Sequence, residues 1–311
     1  MAEAWWPEDR SGPSLRAWLR ARLTAPVFAA PMFLVSGPAL VIAASRAGAL
    51  SAFPAANARS SADLDRWLGE TAEGATGAPW GVNLILHRSN ARREADLAAV
   101  VRARAPLVVA SVGAPDPVVG PVHDAGGVVF ADVATLRHAR KAAAAGVDGL
   151  VLLTAGAGGN AGWLNPFAFV AEVRRFFDGP IALAGGIATG RALAAVEALD
   201  ADLGYVGTPF IATGESLAAE AHKSAVVETD ADGVVLTDAV TGIPANFQRA
   251  NLVALGVLDE AGAVLERGAL DIGSWKAAWS LGQGCGMVDA VRPAAAVVAE
   301  LAAGWKAARR G

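Results

Sequence analysis

Asn160 is the one polar side chain in the glycine-rich segment 156–163, Gly-Ala-Gly-Gly-Asn-Ala-Gly-Trp, which follows the apolar run 149–153. A glycine-rich turn after a buried strand lets backbone approach a ligand at distances that side chains elsewhere forbid. An amide at that place can donate or accept a hydrogen bond, yet it has no useful basicity near neutral pH. It can orient a nitro or carbonyl oxygen; it cannot take a proton from carbon.

Two further glycine turns carry a different chemistry. Gly185-Gly186-Ile187-Ala188-Thr189-Gly190 opens a helical pattern, and Gly207-Thr208-Pro209-Phe210 precedes another expected to begin near Thr213. Backbone N–H groups at such turns are suited to a phosphate, and bland tight turns are the competing reading of each alone. Ala30-Pro31-Met32 reads either as a rigid turn lying against a planar ring or as an ordinary turn with Met32 in the core. Asn83, in Gly81-Val82-Asn83, reads either as a ligand contact or as a satisfied strand-end amide. Asp132 can accept a ligand hydrogen bond or cap the helix from Thr135. Among the histidines, His87 stands nearest a strand end, whereas His123 and His138 fall in helical stretches and read as surface or packing residues. No His, Cys, Asp or Glu cluster has metal-ligand spacing, and no G-x-S-x-G elbow occurs.

These residues need a scaffold that brings distant loops together. Apolar runs at 26–30, 49–53, 80–84, 107–110, 127–131, 149–153, 181–184 and 203–206 alternate with helical patterns, including 38–47, 92–103, 135–145, 166–177 and 191–199. That alternation implies a parallel sheet with helices outside. Eight units suit a closed (β/α)8 TIM barrel, with an open doubly wound sheet as the alternative. In a barrel, the turns named above all lie on the face at the carboxyl ends of the strands. The rhythm stops near Ala225, and 225–284, with Trp275 and Trp279, reads as a small helical lid inserted after the eighth strand. Residues 1–224 and 285–311 then form the barrel, closed by a helix over 292–310. Trp5, Trp6 and Trp18 precede the first strand and can clasp the barrel bottom or form a homodimer contact.

Composition removes several function classes. A net charge of −4 over 311 residues offers no electrostatic case for nucleic acid or an anionic membrane surface. The single Cys285, an acidic start and the absence of a long charge-free apolar stretch point to a cytoplasmic protein with a small-molecule partner. With no evident nucleophile, metal or base, the face is read as holding a cofactor that carries the chemistry. One phosphate grip beside an apolar, amide-lined cavity suits FMN.

The motifs at 30–32, 81–83, 157–162, 185–190 and 207–210, with Gly282-Gln283-Gly284, resemble the nitronate monooxygenases, formerly 2-nitropropane dioxygenases. The resemblance runs from about residue 24 to residue 290. It implies an FMN-dependent TIM barrel that oxidises alkyl nitronates with O2. By it, Gly185 or Gly186 with Gly207 and Thr208 grip the phosphate, Asn83 and the 30–32 turn contact the isoalloxazine, Gly158 lets the ring approach, and Gln283 and Gly284 close the site. The family pattern at the first segment is Gly-Gly-His-x-Gly, where the imidazole acts as base or steadies a nitronate; this chain has Asn160. Relatives also often carry His before the aspartate matching Asp132, where this chain has Ala131. The resemblance therefore leaves three outcomes: oxidation of an already ionised nitronate, an enoyl-type reduction or other specialised flavin reaction, or a non-catalytic FMN-binding protein.

Overall fold

The computed structural model describes residues 6, 7, 10–265 and 274–310. Eight parallel strands close on themselves in sequence order: Val27–Ala29, Leu50–Pro54, Trp80–Ile85, Leu107–Ser111, Val128–Val133, Gly149–Leu153, Ile181–Ala184 and Leu203–Val206. The closing pair aligns Phe28 with Tyr205, which excludes the open sheet. Each strand overlaps an apolar run because a parallel barrel strand is buried on both faces.

Period-two alternation divides each strand between two cores. Phe28, Leu50, Leu107, Val109, Val128, Phe130, Val151 and Leu203 fill the barrel interior. Val27, Ala29, Val108, Val129, Leu150 and Leu152 face the helices outside. Carried one step further toward the carboxyl ends, the same alternation turns Asn83, Ser111, Asp132 and Tyr205 inward. The interior is thus apolar until its last layer, where it becomes polar.

Below the barrel, the helix Gly12–Arg22 buries Leu15 and Leu19 against the interior core, together with Trp6. Trp6 Nε1 donates to Pro106 O at 2.5 Å, and its ring stands 4.5 Å from that of Trp18. Trp6 and Trp18 therefore form an intrachain clasp; Trp5 lies outside the described residues. The clasp is fastened by charge. Buried Asp202, at the start of strand eight, accepts from Arg16 Nε at 2.7 Å and from Arg174 Nη2 at 2.6 Å.

Beyond strand eight the structure differs in detail from the sequence reading. The helix expected near Thr213 is instead the single turn Thr208–Ile211, with Gly207 at its N-cap, while Thr213 is buried and donates to Phe210 O. The expected junction at 224–225 falls inside the helix Glu220–Glu228. Residues 225–284 contain the helix Arg249–Ala254 and also two antiparallel strands, Val234–Thr237 and Ala245–Gln248. The second pairs with Gly159–Asn160, making the glycine-rich loop the third strand of that sheet. Alternation in 234–237 is weak because it lies half-exposed on a small sheet edge, which left it unread in the sequence. The chain closes with the helix Ala294–Ala308, packed on Gly190–Ala198. Among the described residues, no helix is long and apolar enough to cross a membrane.

Candidate active site

A cavity of about 640 Å³ opens at the carboxyl end of the barrel, between the strand-end loops and the insertion. Its floor is the polar top layer of the interior. Asn83 Nδ2 donates to Val109 O at 3.1 Å and to Ser111 Oγ at 2.5 Å, and Ser111 Oγ in turn donates to Asp132 Oδ2. Asn83 is therefore both satisfied within the protein and part of the cavity wall. Asp132 does not cap the following helix, since Thr135 Oγ1 accepts from His138 N in that role. Burial pushes its carboxyl up to about 6, against the lowering effect of the bonds from Ser111 and Val112. The same burial, with Asp132 nearby, raises the Tyr205 phenol well above its usual range.

One wall is the turn after strand one. Ser36 Oγ accepts from Met32 N at 3.0 Å and donates to Ala30 O, while Asn57 Nδ2 donates to Met32 O. These bonds fix the Ala30-Pro31-Met32 turn from behind and use the Met32 amide. Met32 packs on the core and also lines the cavity.

The glycine turns continue the lining beside it, a Cβ on Gly207 standing 3.2 Å from Met32 Sδ. Gly185 has φ +134, and a Cβ on it would stand 2.4 Å from Thr154 Oγ1, so this position admits no side chain. Gly186, at φ +66, faces open space. Gly207 and Thr208 line the same cavity, and Thr208 Oγ1 accepts from Gly282 N at 2.9 Å, leaving its O–H able to donate.

The glycine-rich loop completes the enclosure. Gly158 lines the cavity, but a Cβ there would first meet the backbone of Gly282 at 2.8 Å and of Leu281 at 3.0 Å. Its lack of a side chain serves the return of the insertion. Gly284 lines the cavity; Gln283 is outside the lining, its N bonded to Gly156 O at 3.0 Å. Asn160 is exposed within the cavity mouth and held by pairing with Ala245. Behind it, the buried Asn246 Nδ2 donates to Ala157 O at 2.7 Å. Replacing Asn246 by Ala leaves that carbonyl without its donor, and we expect a loss of about 1–2 kcal/mol. Urea unfolding should register it, and faster amide exchange at Gly159 and Asn160 should show that the loop is what loosens.

Histidine placement follows the sequence reading in part. His87 reaches the mouth, where its Nδ1 meets Ser89 Oγ at 2.7 Å. His123 binds Asp148 at 2.7 Å, away from the cavity. His222 was missed. It lines the cavity from the helix Glu220–Glu228, buried and stacked on Trp279 with ring centroids 5.5 Å apart and planes 8° from parallel. Reading only strand ends could not find it, because no strand carries it. The side chain of Trp275 lies outside the described residues. Among the described residues, no three His, Cys, Asp or Glu side chains are grouped to hold a metal ion.

The family model for nitronate monooxygenase matches residues 93–266, more than half of the chain. The chain belongs to the nitronate monooxygenase family. Its barrel, and its standing as an oxidoreductase scaffold, are those of that family. A nitronate monooxygenase of Paraburkholderia phytofirmans is 27% identical over 277 residues, covering 74% of this chain and 75% of the relative. The (3aS,4S,5R,7aS)-5-hydroxy-7a-methyl-1-oxo-octahydro-1H-indene-4-carboxyl-CoA dehydrogenase of Mycobacterium tuberculosis is 29% identical over 231 residues, 73% of this chain. This chain spans 64% of the length of that relative. Among solved structures, nitroalkane oxidase from Streptomyces ansochromogenes has a TM-score of 0.82 at 27% identity, covering 94% of this chain and 99% of its own. FabK from Thermotoga maritima has a TM-score of 0.78 at 27% identity, with coverage of 93% and 94%.

Proposed function

We propose that this family member is an FMN-dependent oxidoreductase that oxidises an already ionised alkyl nitronate, or a similarly stabilised small carbanion, with O2. The observation that carries the reading is a single cavity with two glycine turns on one wall and an amide, Asn160, on the loop opposite its floor. The residues present fit a flavin mononucleotide. Gly186 offers backbone N–H and open space where a side chain would stand, Gly207 and Thr208 face the same space, and one such grip is enough for one phosphate. Asn83, Asp132 and the 30–32 turn form the surface for the ring. When bound, the flavin supplies the two-electron redox chemistry.

The chain's own groups do the rest. Asn160 donates a hydrogen bond to a nitro oxygen and holds the substrate in place, while the insertion, through Trp279 and Phe247, walls the cavity from water. An ionised substrate needs no base at position 160. Anaerobic addition of ethylnitronate to flavin-loaded protein should bleach the flavin absorbance within a catalytic time, with colour returning on admission of air. Absence of bleaching after long incubation, in protein that retains flavin, removes this reading.

Kinship to a CoA dehydrogenase and to FabK supports a second reading, in which the same cavity takes an acyl thioester for dehydrogenation or enoyl reduction. It predicts flavin reduction by NADH or NADPH, or turnover of an enone, with ethylnitronate inert.

A further inference from the structure

The cavity's buried imidazole has no assigned role. His222 Nε2 lies 3.2 Å from Ser280 O, and only an N–H can bond a carbonyl, so Nε2 carries the proton and Nδ1 presents its lone pair. No protein donor meets Nδ1 among the described residues, nor is it a sealed orphan. His222 is 8% exposed and lines the cavity, and Nδ1 is its ring nitrogen without a partner among the described residues. The ring is held on both sides of its function. Trp279 stacks on its face, Trp279 N donates to Asn251 Oδ1 at 2.8 Å, and Gln248 N donates to Trp279 O at 2.9 Å. A fixed tautomer on an anchored ring that lines a substrate-sized space is the arrangement of a general base.

We propose that His222 is the proton acceptor for carbon acids in this cavity, so that the protein generates its own nitronate from a neutral nitroalkane. The inference rests on the reading of the cavity as the substrate site. In the step, the C–H bond next to the nitro group breaks and an N–H bond forms at Nδ1. The electron pair stays on the substrate and spreads to the nitro oxygens, one of which accepts from Asn160. The imidazolium then returns its proton to water, and no oxidant or reductant takes part. Burial favours the neutral ring and holds the His222 pKa below the usual histidine value, so the acceptor form prevails at neutral pH. Position 160 therefore need not be basic, because the base enters from the helix Glu220–Glu228.

The test is deuterium exchange into the methylene group of nitroethane, followed by proton NMR in D2O with anaerobic, flavin-loaded protein. Wild-type protein should exchange the methylene protons faster than buffer, and His222→Gln, which keeps an N–H for Ser280 O, should slow the enzymatic rate about 100-fold or more. An unchanged rate in a variant that retains flavin overturns the proposal, as does wild-type exchange no faster than buffer. Should the variant fold poorly, wild-type protein labelled with 15N-histidine decides the matter: nitroethane should move the Nδ1 resonance of His222, and a fixed resonance at saturating nitroethane overturns the assignment. Bleaching by ethylnitronate without nitroethane exchange would reject His222 as base and leave nitronate oxidation standing. Exchange without bleaching would do the reverse.

Discussion

Replacing Asp202 by Ala should lower the stability of the protein by about 3 kcal/mol, near the bottom of the usual range for breaking a buried ion pair. The carboxylate is fully buried at the start of strand eight, and each oxygen has two partners. Oδ1 accepts from Arg16 Nε and, at 3.3 Å, from Arg20; Oδ2 accepts from Arg174 and, at 3.0 Å, from Ile181 N. Truncation removes all four at once and leaves the half-buried guanidinium of Arg174 facing that of Arg16. The loss stays near 3 kcal/mol because Asp200 still meets Arg16 at 2.5 Å and Arg174 at 3.4 Å. Asp202→Asn separates charge from hydrogen bonding, since its amide oxygen can still accept from Ile181 N, and should cost less. Urea midpoints for both variants check the order. A loss under about 1 kcal/mol for Asp202→Ala would show that Asp200 alone fastens the N-terminal helix.

The barrel was legible because its physics is local and repetitive. Each strand is buried on both faces, so each appears as an apolar run, and eight runs in order admit few topologies. The site was legible where backbone does the work: Gly185 announces itself because its φ of +134 and its approach to Thr154 leave no room for a side chain. It was less legible where a residue serves two masters. Gly158 was read as yielding to a ring, while the structure packs it first against Leu281 and Gly282, more than a hundred residues away in sequence.

The insertion was the least legible part, for the same reason. Its strands form a sheet whose third member is Gly159–Asn160, a partner that no local pattern names. His222 sits in a helix whose burial depends on Trp279 and Ser280, brought back by the chain's return. Asp132 needed both kinds of information. Alternation along strand five turns it inward, but its release from helix capping became evident only once Thr135 was seen in that role.

Replacing Asp132 by Asn should stabilise flavin-free protein at pH 8 by about 2–3 kcal/mol, with the gain fading to nothing below about pH 4. The sign follows from the direction of the shift. Burial pushes the folded-state carboxyl up to about 6, above the ordinary carboxylate value of 3.8, because desolvation outweighs the bonds from Ser111 and Val112. Between those two values the folded protein binds more protons than the unfolded chain, so stability falls as pH rises through the window. Above it the full cost of an ionised carboxylate is present. Asparagine is isosteric, still accepts from Ser111 Oγ, and carries no charge to desolvate. Urea unfolding of both proteins at pH 4, 6 and 8 measures the effect; parallel pH profiles would mean that the carboxylate is solvated after all. A costly carboxyl on the cavity floor, one step past an otherwise apolar barrel interior, is a candidate ligand contact. The same substitution should therefore weaken flavin retention while it strengthens the fold. Both changes together separate a ligand contact from a packing residue, since a packing residue would not trade one for the other.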